Sequence, residues 1–471
     1  MNAHLVAIIG GGISGLSTAY ELSRLASREK IPLRITLLEA QDRFGGVIRT
    51  FDQERFTAEA AADAFYGGGP WGSEAVEFCG SLGLSEELIE ASASFRRFYI
   101  FKNKKPVPFP NMAGLFDPAA LFWSPLLGFS AKARFLAEPW VPREKKSGDE
   151  SLGHFIRRRL GAAFYREAVR PVIRGVYMAD PDDLSLEAVF PGLRKKEQTY
   201  GSLANAALAD VFKKKNAGSD RFWNFKNGLE SLTGALVRAL NGCELRTVSP
   251  VRRWKREGTR GHLVLESGEK FRADAVCLAM TAADAAPLLR EADAALSQDL
   301  TGIRYDSVLT FNFVFKKEDL LGKIPDSGFF VPAHDATYPF SSLKGFDPTP
   351  GGEYRRLRVF ISEAMLPEIF REEDGTAEKK ILRALETLLG IRSSPAYVTA
   401  ERYRKALPCY ETGHGEKIAR IEAGLRKHPG LFLTGNGFRG FGITECIYAA
   451  RNKAQEILVY CQNLRSGTFA F

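Results

Sequence analysis

Gly10, Gly12 and Gly15 stand between an apolar run, Leu5 to Ile9, and a segment of helical periodicity. The spacing G-x-G-x-x-G in that context is one that lets bare backbone hold a pyrophosphate. Gly10 makes the tight turn, Gly12 lets the phosphate approach, and Gly15 lets the helix lie close to the strand. With Ser14 among them, the first N–H groups of the helix face the negative charge. A second apolar run, Arg34 to Leu38, ends in Glu39, where a carboxylate accepts hydrogen bonds from an adenosine ribose and disfavours a 2′-phosphate.

A further loop follows closely in Asp42-Arg43-Phe44-Gly45-Gly46-Val47-Ile48-Arg49-Thr50. Its paired glycines again allow backbone to approach phosphate, with charge from Arg43 or Arg49. A nicotinamide dehydrogenase has no need of this second loop, whereas flavoproteins holding an extended FAD commonly carry one; the alternative is a plain two-glycine turn. The same logic recurs near the C-terminus, where a strand from Leu431 to Thr434 leads through Gly435, Asn436 and Gly442 to a helix starting near Ile443. A positive helix end there suits the N1–C2=O edge of a reduced flavin.

The elements that position these loops are strands and helices of an α/β protein. Further strands are expected near Glu244–Val248, His262–Glu266 and Lys270–Met280, with a second, β-rich sheet between Ser307 and Glu363. Residues Asp149 to Ala179 read as helices interrupted at Pro171. Ahead of them, Asn111 to Pro142 is rich in Phe, Leu, Trp and Pro with few charges, which suits either a bilayer interface or a buried helical hairpin.

Bulk properties bound the reading. The 471 residues are enough for two or three domains, and 45% hydrophobic with 26% charged residues excludes a disordered chain. The net charge of +9 favours an anionic partner, but the basic clusters are short and dispersed, and no nucleic-acid-binding pattern accompanies them. Six cysteines and six histidines are scattered without metal-ligand spacing, as expected of reduced thiols in a cytosolic protein without a metal. No apolar run reaches membrane-spanning length, and the first strand leaves no room for a signal peptide before it.

The stretches VAIIGGGISGLSTAYEL, LLEAQDRFGGVIRT and LTGNGFRGFGI resemble the monoamine-oxidase-type FAD superfamily. Within it, DESLGHFIRRRLGAAFYREAVRPVIRGVYMADPDDLSLEAVFP, GFFVP, ALPCYETGHG and TGNGFRGFGITECI resemble the protoporphyrinogen and coproporphyrinogen oxidases of haem synthesis. The resemblance reaches across most of the chain. It implies a Rossmann-like FAD-binding domain assembled from residues 1–79, 222–284 and 425–471. A helical, membrane-associated domain would span 80–201, and a mixed-sheet substrate domain 202–221 and 285–424.

It also implies non-covalent FAD, held by Gly10, Gly12, Ser14, Gly15, Glu39, Arg43, Gly45, Gly46, Val251, Gly435, Asn436, Gly442 and Ile443. Arg97 falls where the family often places an arginine for a substrate propionate. Gly175 falls at the backbone turn lining the tetrapyrrole cavity, and Phe98, Tyr99, Phe329 and Phe330 would wall it. The implied reaction removes six electrons from a porphyrinogen in three flavin cycles, with molecular oxygen as acceptor and no dedicated acid or base. The implied setting is cytoplasmic or peripheral on the inner face of the cell membrane, with a transfer partner in haem synthesis.

The sequence departs from the family in three places. Glu59-Ala60-Ala61-Ala62-Asp63-Ala64-Phe65 lacks the usual Gly-Pro beside the flavin, YPFSSLKGFDPTPGG keeps little of a Phe-Pro-x-Arg-x-Pro run, and Ala449-Ala450-Arg451 replaces smaller residues. Protoporphyrinogen and coproporphyrinogen are both left open. Two other readings stand beside the porphyrinogen one: an amine oxidase or desaturase, with Cys409 a candidate for a flavin thioether, and a porphyrin-binding relative without turnover.

Overall fold

The computed structural model describes residues 3–91, 98–103, 105–109, 123–144, 148–212, 221–258, 260–320, 327–332, 338–346 and 352–466. Arg97 and residues 111–122 of the apolar stretch lie outside them.

Five strands drawn from distant parts of the chain form one parallel sheet, in the order Glu244–Arg246, Leu33–Leu38, His4–Ile9, Ala275–Ala279, Leu431–Thr434. Side chains alternate across a strand, so Val6 and Ile8 face one way and Ala7 and Ile9 the other. The first pair packs with Leu16, Leu22, Ala454 and Ile457 of the helices Ile13–Arg28 and Ile443–Ser466. The second packs with Trp254, Leu263, Ala285 and Leu289, under a three-stranded meander and the helix Ala282–Leu289. With both faces covered, the central strands read as unbroken apolar runs.

Two local expectations need correction. Lys270–Met280 is not one strand: it divides at Asp274 into Lys270–Ala273 of the meander and Ala275–Ala279 of the parallel sheet. Asp274 makes the junction, its N–H donating to the Leu5 carbonyl at 2.7 Å and its carboxylate accepting the Leu5 N–H at 2.9 Å. Pro171 does not interrupt the helix: Ala162–Phe164, the π-helical turn Tyr165–Val169 and Arg170–Tyr177 follow one another without a break in helical backbone.

A seven-stranded mixed sheet forms a second layer, in the order Tyr397–Pro408, Tyr305–Lys316, Tyr354–Ser362, Ser342–Phe346, Ser327–Phe330, Phe98–Lys102, Lys105–Phe109. One face buries Phe311, Phe313, Phe329, Leu357 and Val359 against Ile381 and Leu385 of the helix Asp374–Leu389. The opposite face carries Asn312, Lys344, Arg358 and Phe330. A third, helical core gathers Phe155, Ile156, Phe164, Val169, Val172 and Ile173, and Phe330 of the mixed sheet packs into it. Among the described residues no helix is long and apolar enough to cross a membrane.

Candidate functional site

The first glycine loop has the geometry that its spacing predicts. Gly10 has φ +108°, and a Cβ there would lie 2.3 Å from the Ala279 carbonyl oxygen. At Gly15 a Cβ would come within 1.9 Å of the Gly10 carbonyl oxygen, so the helix packs on the loop only through glycine. Gly12 precedes the helix with no side chain capping it and no acidic residue in the first turn. A helix N-terminus left this way favours a negative group at its N–H donors, and Ser14 lies buried within that first turn.

Glu39 is buried at the end of its strand. One carboxylate oxygen accepts the Gly11 N–H at 2.6 Å and the other the Gln41 N–H at 2.8 Å. Each oxygen retains a lone pair suited to a sugar hydroxyl. Two residues before Val251, Ser249 donates its N–H to the Glu39 carbonyl at 2.8 Å, and Val251 is packed against the core that includes Leu38 and Trp254.

The second loop closes directly over the first. The Gly45 N–H donates to the Gly11 carbonyl at 2.8 Å, and a Cβ at Gly46 would stand 3.0 Å from the Gly12 Cα. Arg43 is directed inward, donating to the carbonyls of Phe44 at 2.9 Å, Gly46 at 2.7 Å and Ile48 at 3.1 Å, with Glu230 at 3.6 Å. Its guanidinium therefore braces the loop, and the loop's backbone lines the first helix end.

At the other terminus, Gly435 has φ +141°, and a Cβ there would lie 2.8 Å from the Met280 carbonyl oxygen. Asn436 donates from Nδ2 to the Ala406 carbonyl at 3.1 Å. Its own carbonyl accepts the Tyr410 hydroxyl at 2.5 Å, and that hydroxyl accepts the Gly440 N–H at 3.0 Å. One tyrosine thus pins both sides of the loop ahead of Gly442 and Ile443. His414 stacks on Tyr410 with ring centroids 4.2 Å apart, and burial lowers its basicity, so it is held neutral near pH 7. Tyr410 and His414 belong to the ALPCYETGHG stretch, yet nothing in their spacing announced this bracing.

The helix Arg170–Tyr177 joins the three units. A Cβ at Gly175 would meet the Phe330 ring at 2.2 Å, and the Gly175 carbonyl accepts the Ser342 hydroxyl at 3.1 Å. Two residues on, Tyr177 meets Phe441 of the C-terminal loop at 5.4 Å between centroids. Phe98 packs edge-on against Phe330 at 5.1 Å. Gly175, Phe330 and Phe98 are thereby brought together. Phe329 points to the opposite face, stacked on Tyr99 and Phe101 at 5.5 and 5.6 Å inside the sheet's other core.

A buried charge cluster joins the Glu59–Asp63 stretch to the mixed sheet. Asp63 accepts from Arg356 at 2.9 Å and Arg358 at 2.5 Å, with Lys344 at 3.6 Å. Arg358 also donates to the Ala60 carbonyl at 2.6 Å and to that of Ala61. Glu59 takes the Leu229 N–H at 2.9 Å and the Thr50 hydroxyl at 2.9 Å. Burial would raise Asp63, but Arg358, Arg356 and Lys344 hold it below the usual carboxylate range. Burial outweighs Arg356 at Glu59 and raises it. On the other side, burial brings Arg356 down to about 10. The sequence signal was available: Arg356 and Arg358, two residues apart in one strand, share one face.

Comparison with known proteins follows this geometry. Residues 13–458 match the family described as flavin containing amine oxidoreductase. The chain belongs to that family. It is 26% identical to the coproporphyrinogen III oxidase of Bacillus subtilis, with 97% of this chain and 98% of the relative covered. The protoporphyrinogen oxidase of Homo sapiens is 26% identical, with 96% and 98% covered. Among solved structures, a protein from Exiguobacterium named by inference a protoporphyrinogen oxidase superposes with a TM-score of 0.83 at 26% identity, covering 98% of this chain and 99% of its own. Cyclohexylamine oxidase from Brevibacterium oxydans shares the fold with a TM-score of 0.70 at 15% identity, covering 98% and 100%.

Proposed function

We propose that this flavoprotein binds FAD non-covalently and uses molecular oxygen to oxidise a porphyrinogen to the porphyrin in haem biosynthesis. The observation that carries the reading is the end-to-end likeness to porphyrinogen oxidases at 26% identity, against 15% for the amine oxidase of the same fold. The geometry supports FAD: an uncapped helix end for the pyrophosphate, Glu39 for the ribose, and a second helix end beyond Gly442 for the flavin ring. Bound FAD would supply hydride acceptance, and oxygen would take the electrons in turn. Over three cycles, one porphyrinogen and three O2 give one porphyrin and three H2O2.

The protein's part is binding, orientation and exclusion of water. Gly175 brings backbone onto Phe330, while Tyr177 and Phe441 close the side toward the C-terminal loop. Burial pushes the Cys409 thiol up to about 11, which disfavours the thiolate from which a thioether would form. The direct test is anaerobic: coproporphyrinogen III or protoporphyrinogen IX should bleach the bound flavin within seconds and an aliphatic amine should not. Bleaching by the amine alone would transfer the chain to the amine oxidases.

Peripheral membrane contact belongs to the same proposal. Trp123, Phe129, Leu136 and Trp140 are exposed by 79, 89, 58 and 80%, around the helix Phe129–Leu136, with Lys132 and Arg134 on the same helix. Large exposed aromatics beside basic residues suit an anionic bilayer surface. Vesicles containing phosphatidylglycerol should sediment the protein, and Phe129→Ser with Trp140→Ser should weaken that at least about fivefold, or about 1 kcal/mol. Equal sedimentation of the double variant would remove this surface from any membrane role.

A further inference from the structure

The helices Ile13–Arg28 and Ile443–Ser466 begin at the first and last glycine loops, and their first turns lie together. Gly10 and Gly435 press on the end of the same strand: a Cβ at Gly10 would lie 2.3 Å from the Ala279 carbonyl oxygen, and one at Gly435 2.8 Å from that of Met280. Ser14 of the first helix meets the Cys446 thiol of the last.

The two helix ends differ in charge. The first helix has no acidic residue in its first turn, whereas the last has Glu445. The Glu445 side chain lies over its own loop, since a Cβ at Gly440 would come 2.4 Å from the Glu445 Cβ, and one at Gly442 2.6 Å from Glu445 Oε2. The neighbours that sense its charge are neutral: burial above all, with Glu445 adding to it, keeps the Tyr177 hydroxyl and the Cys446 thiol protonated near pH 7. Among the described residues no hydrogen bond or ion pair holds the Glu445 carboxylate.

Magnitudes decide the sign of the field. A helix N-terminus carries about half a positive charge, and its effect fades within the first turn. A carboxylate in that turn carries a full negative charge and outweighs it. At the first helix nothing offsets the dipole, which suits a phosphate. At the last, the offset bears on the flavin ring, whose N1–C2=O edge becomes negative when two electrons and one proton are taken up.

We propose that Glu445 tunes the bound flavin, its charge cancelling the positive helix end and holding the reduction potential down, so that the reduced cofactor passes its electrons on readily. The inference rests on the FAD reading above and not on which substrate is oxidised. Glu445 acts through its field and need touch neither substrate nor flavin, because a charge in a partly desolvated site reaches beyond its contacts.

Sulfite tests this without any substrate, since it adds to flavin N5 and leaves negative charge on the same edge. Wild type, Glu445→Gln and Glu445→Asp, each with a full complement of flavin and matched melting temperature, are titrated with sulfite, and their potentials are measured against a reference dye. Glu445→Gln keeps the shape and an acceptor oxygen but loses the charge. It should bind sulfite about tenfold more tightly and rise in potential by about 30 mV, the two-electron equivalent of a tenfold change. Glu445→Asp keeps the charge and should stay near wild type.

Unchanged sulfite affinity and potential in Glu445→Gln overturn the assignment, leave Glu445 a helix cap, and leave the FAD reading standing. A chain that takes up no FAD overturns both. Should Glu445→Gln fail to retain flavin, wild type loaded with 8-mercapto-FAD decides. Its red thiolate form is expected where Glu445 cancels the helix end, and its blue form, with the negative charge moved to the N1 edge, would overturn the assignment.

Discussion

Replacing Asp63 with alanine is expected to lower the unfolding free energy at pH 7 by about 3–5 kcal/mol, the range for removing one partner of a buried ion pair. Arg356, Arg358 and Lys344 would be left without their shared carboxylate in a site where Arg356 and Arg358 are almost fully buried. The pH dependence has a definite sign. The folded-state pKa of Asp63 is held below its unfolded value. Its contribution is therefore present above about pH 4, the unfolded value, and is lost as pH falls through the folded one. Urea unfolding of wild type and variant should differ most at neutral pH and converge in acid. A difference under about 1 kcal/mol at pH 7, the scale of an exposed pair, would mean that the cluster is effectively solvated.

Gly15→Ala is expected to yield protein with less than about one-tenth of the wild-type flavin, a loss of about 1.4 kcal/mol or more in binding. The added methyl would lie 1.9 Å from the Gly10 carbonyl oxygen and 3.3 Å from the Ala279 Cβ. Both neighbours belong to the turn and the central strand, so relief requires the helix to lift from the phosphate-facing loop. Gly375→Ala is the matched control. It lies in the first turn of the helix Asp374–Leu389 with nothing within 4 Å of the new methyl, and alanine is the better helix former. Full flavin in Gly15→Ala, measured from absorbance after gel filtration, would remove close helix packing from the account of the loop.

The glycine loops were legible because their residues answer to backbone geometry alone. Gly10, Gly15 and Gly435 sit where a Cβ collides with backbone, and Glu39 sits at the end of a strand whose apolar run marks it. The strands of the parallel sheet were legible for a similar reason, since burial on both faces writes continuous apolar runs. What escaped was whatever depends on register between distant strands. Phe329 and Phe330 look equivalent in GFFVP, but alternation sends one to Phe101 and the other to Gly175. Lys344, Arg358 and Asp63 are separated by as many as 295 residues, and only the pairing of Lys344 with Arg358 reveals them as one cluster. Arg43 read as a phosphate ligand by type, whereas the structure gives it the carbonyls of its own loop.

The most direct measurement of the central claim is porphyrin fluorescence during aerobic incubation of the purified flavoprotein with each porphyrinogen, with oxygen uptake followed in parallel. The account predicts flavin-dependent growth of porphyrin fluorescence with at least one of the two porphyrinogens and three O2 consumed per porphyrin formed. Silence with both porphyrinogens, from protein whose spectrum carries a full complement of flavin, would contradict it.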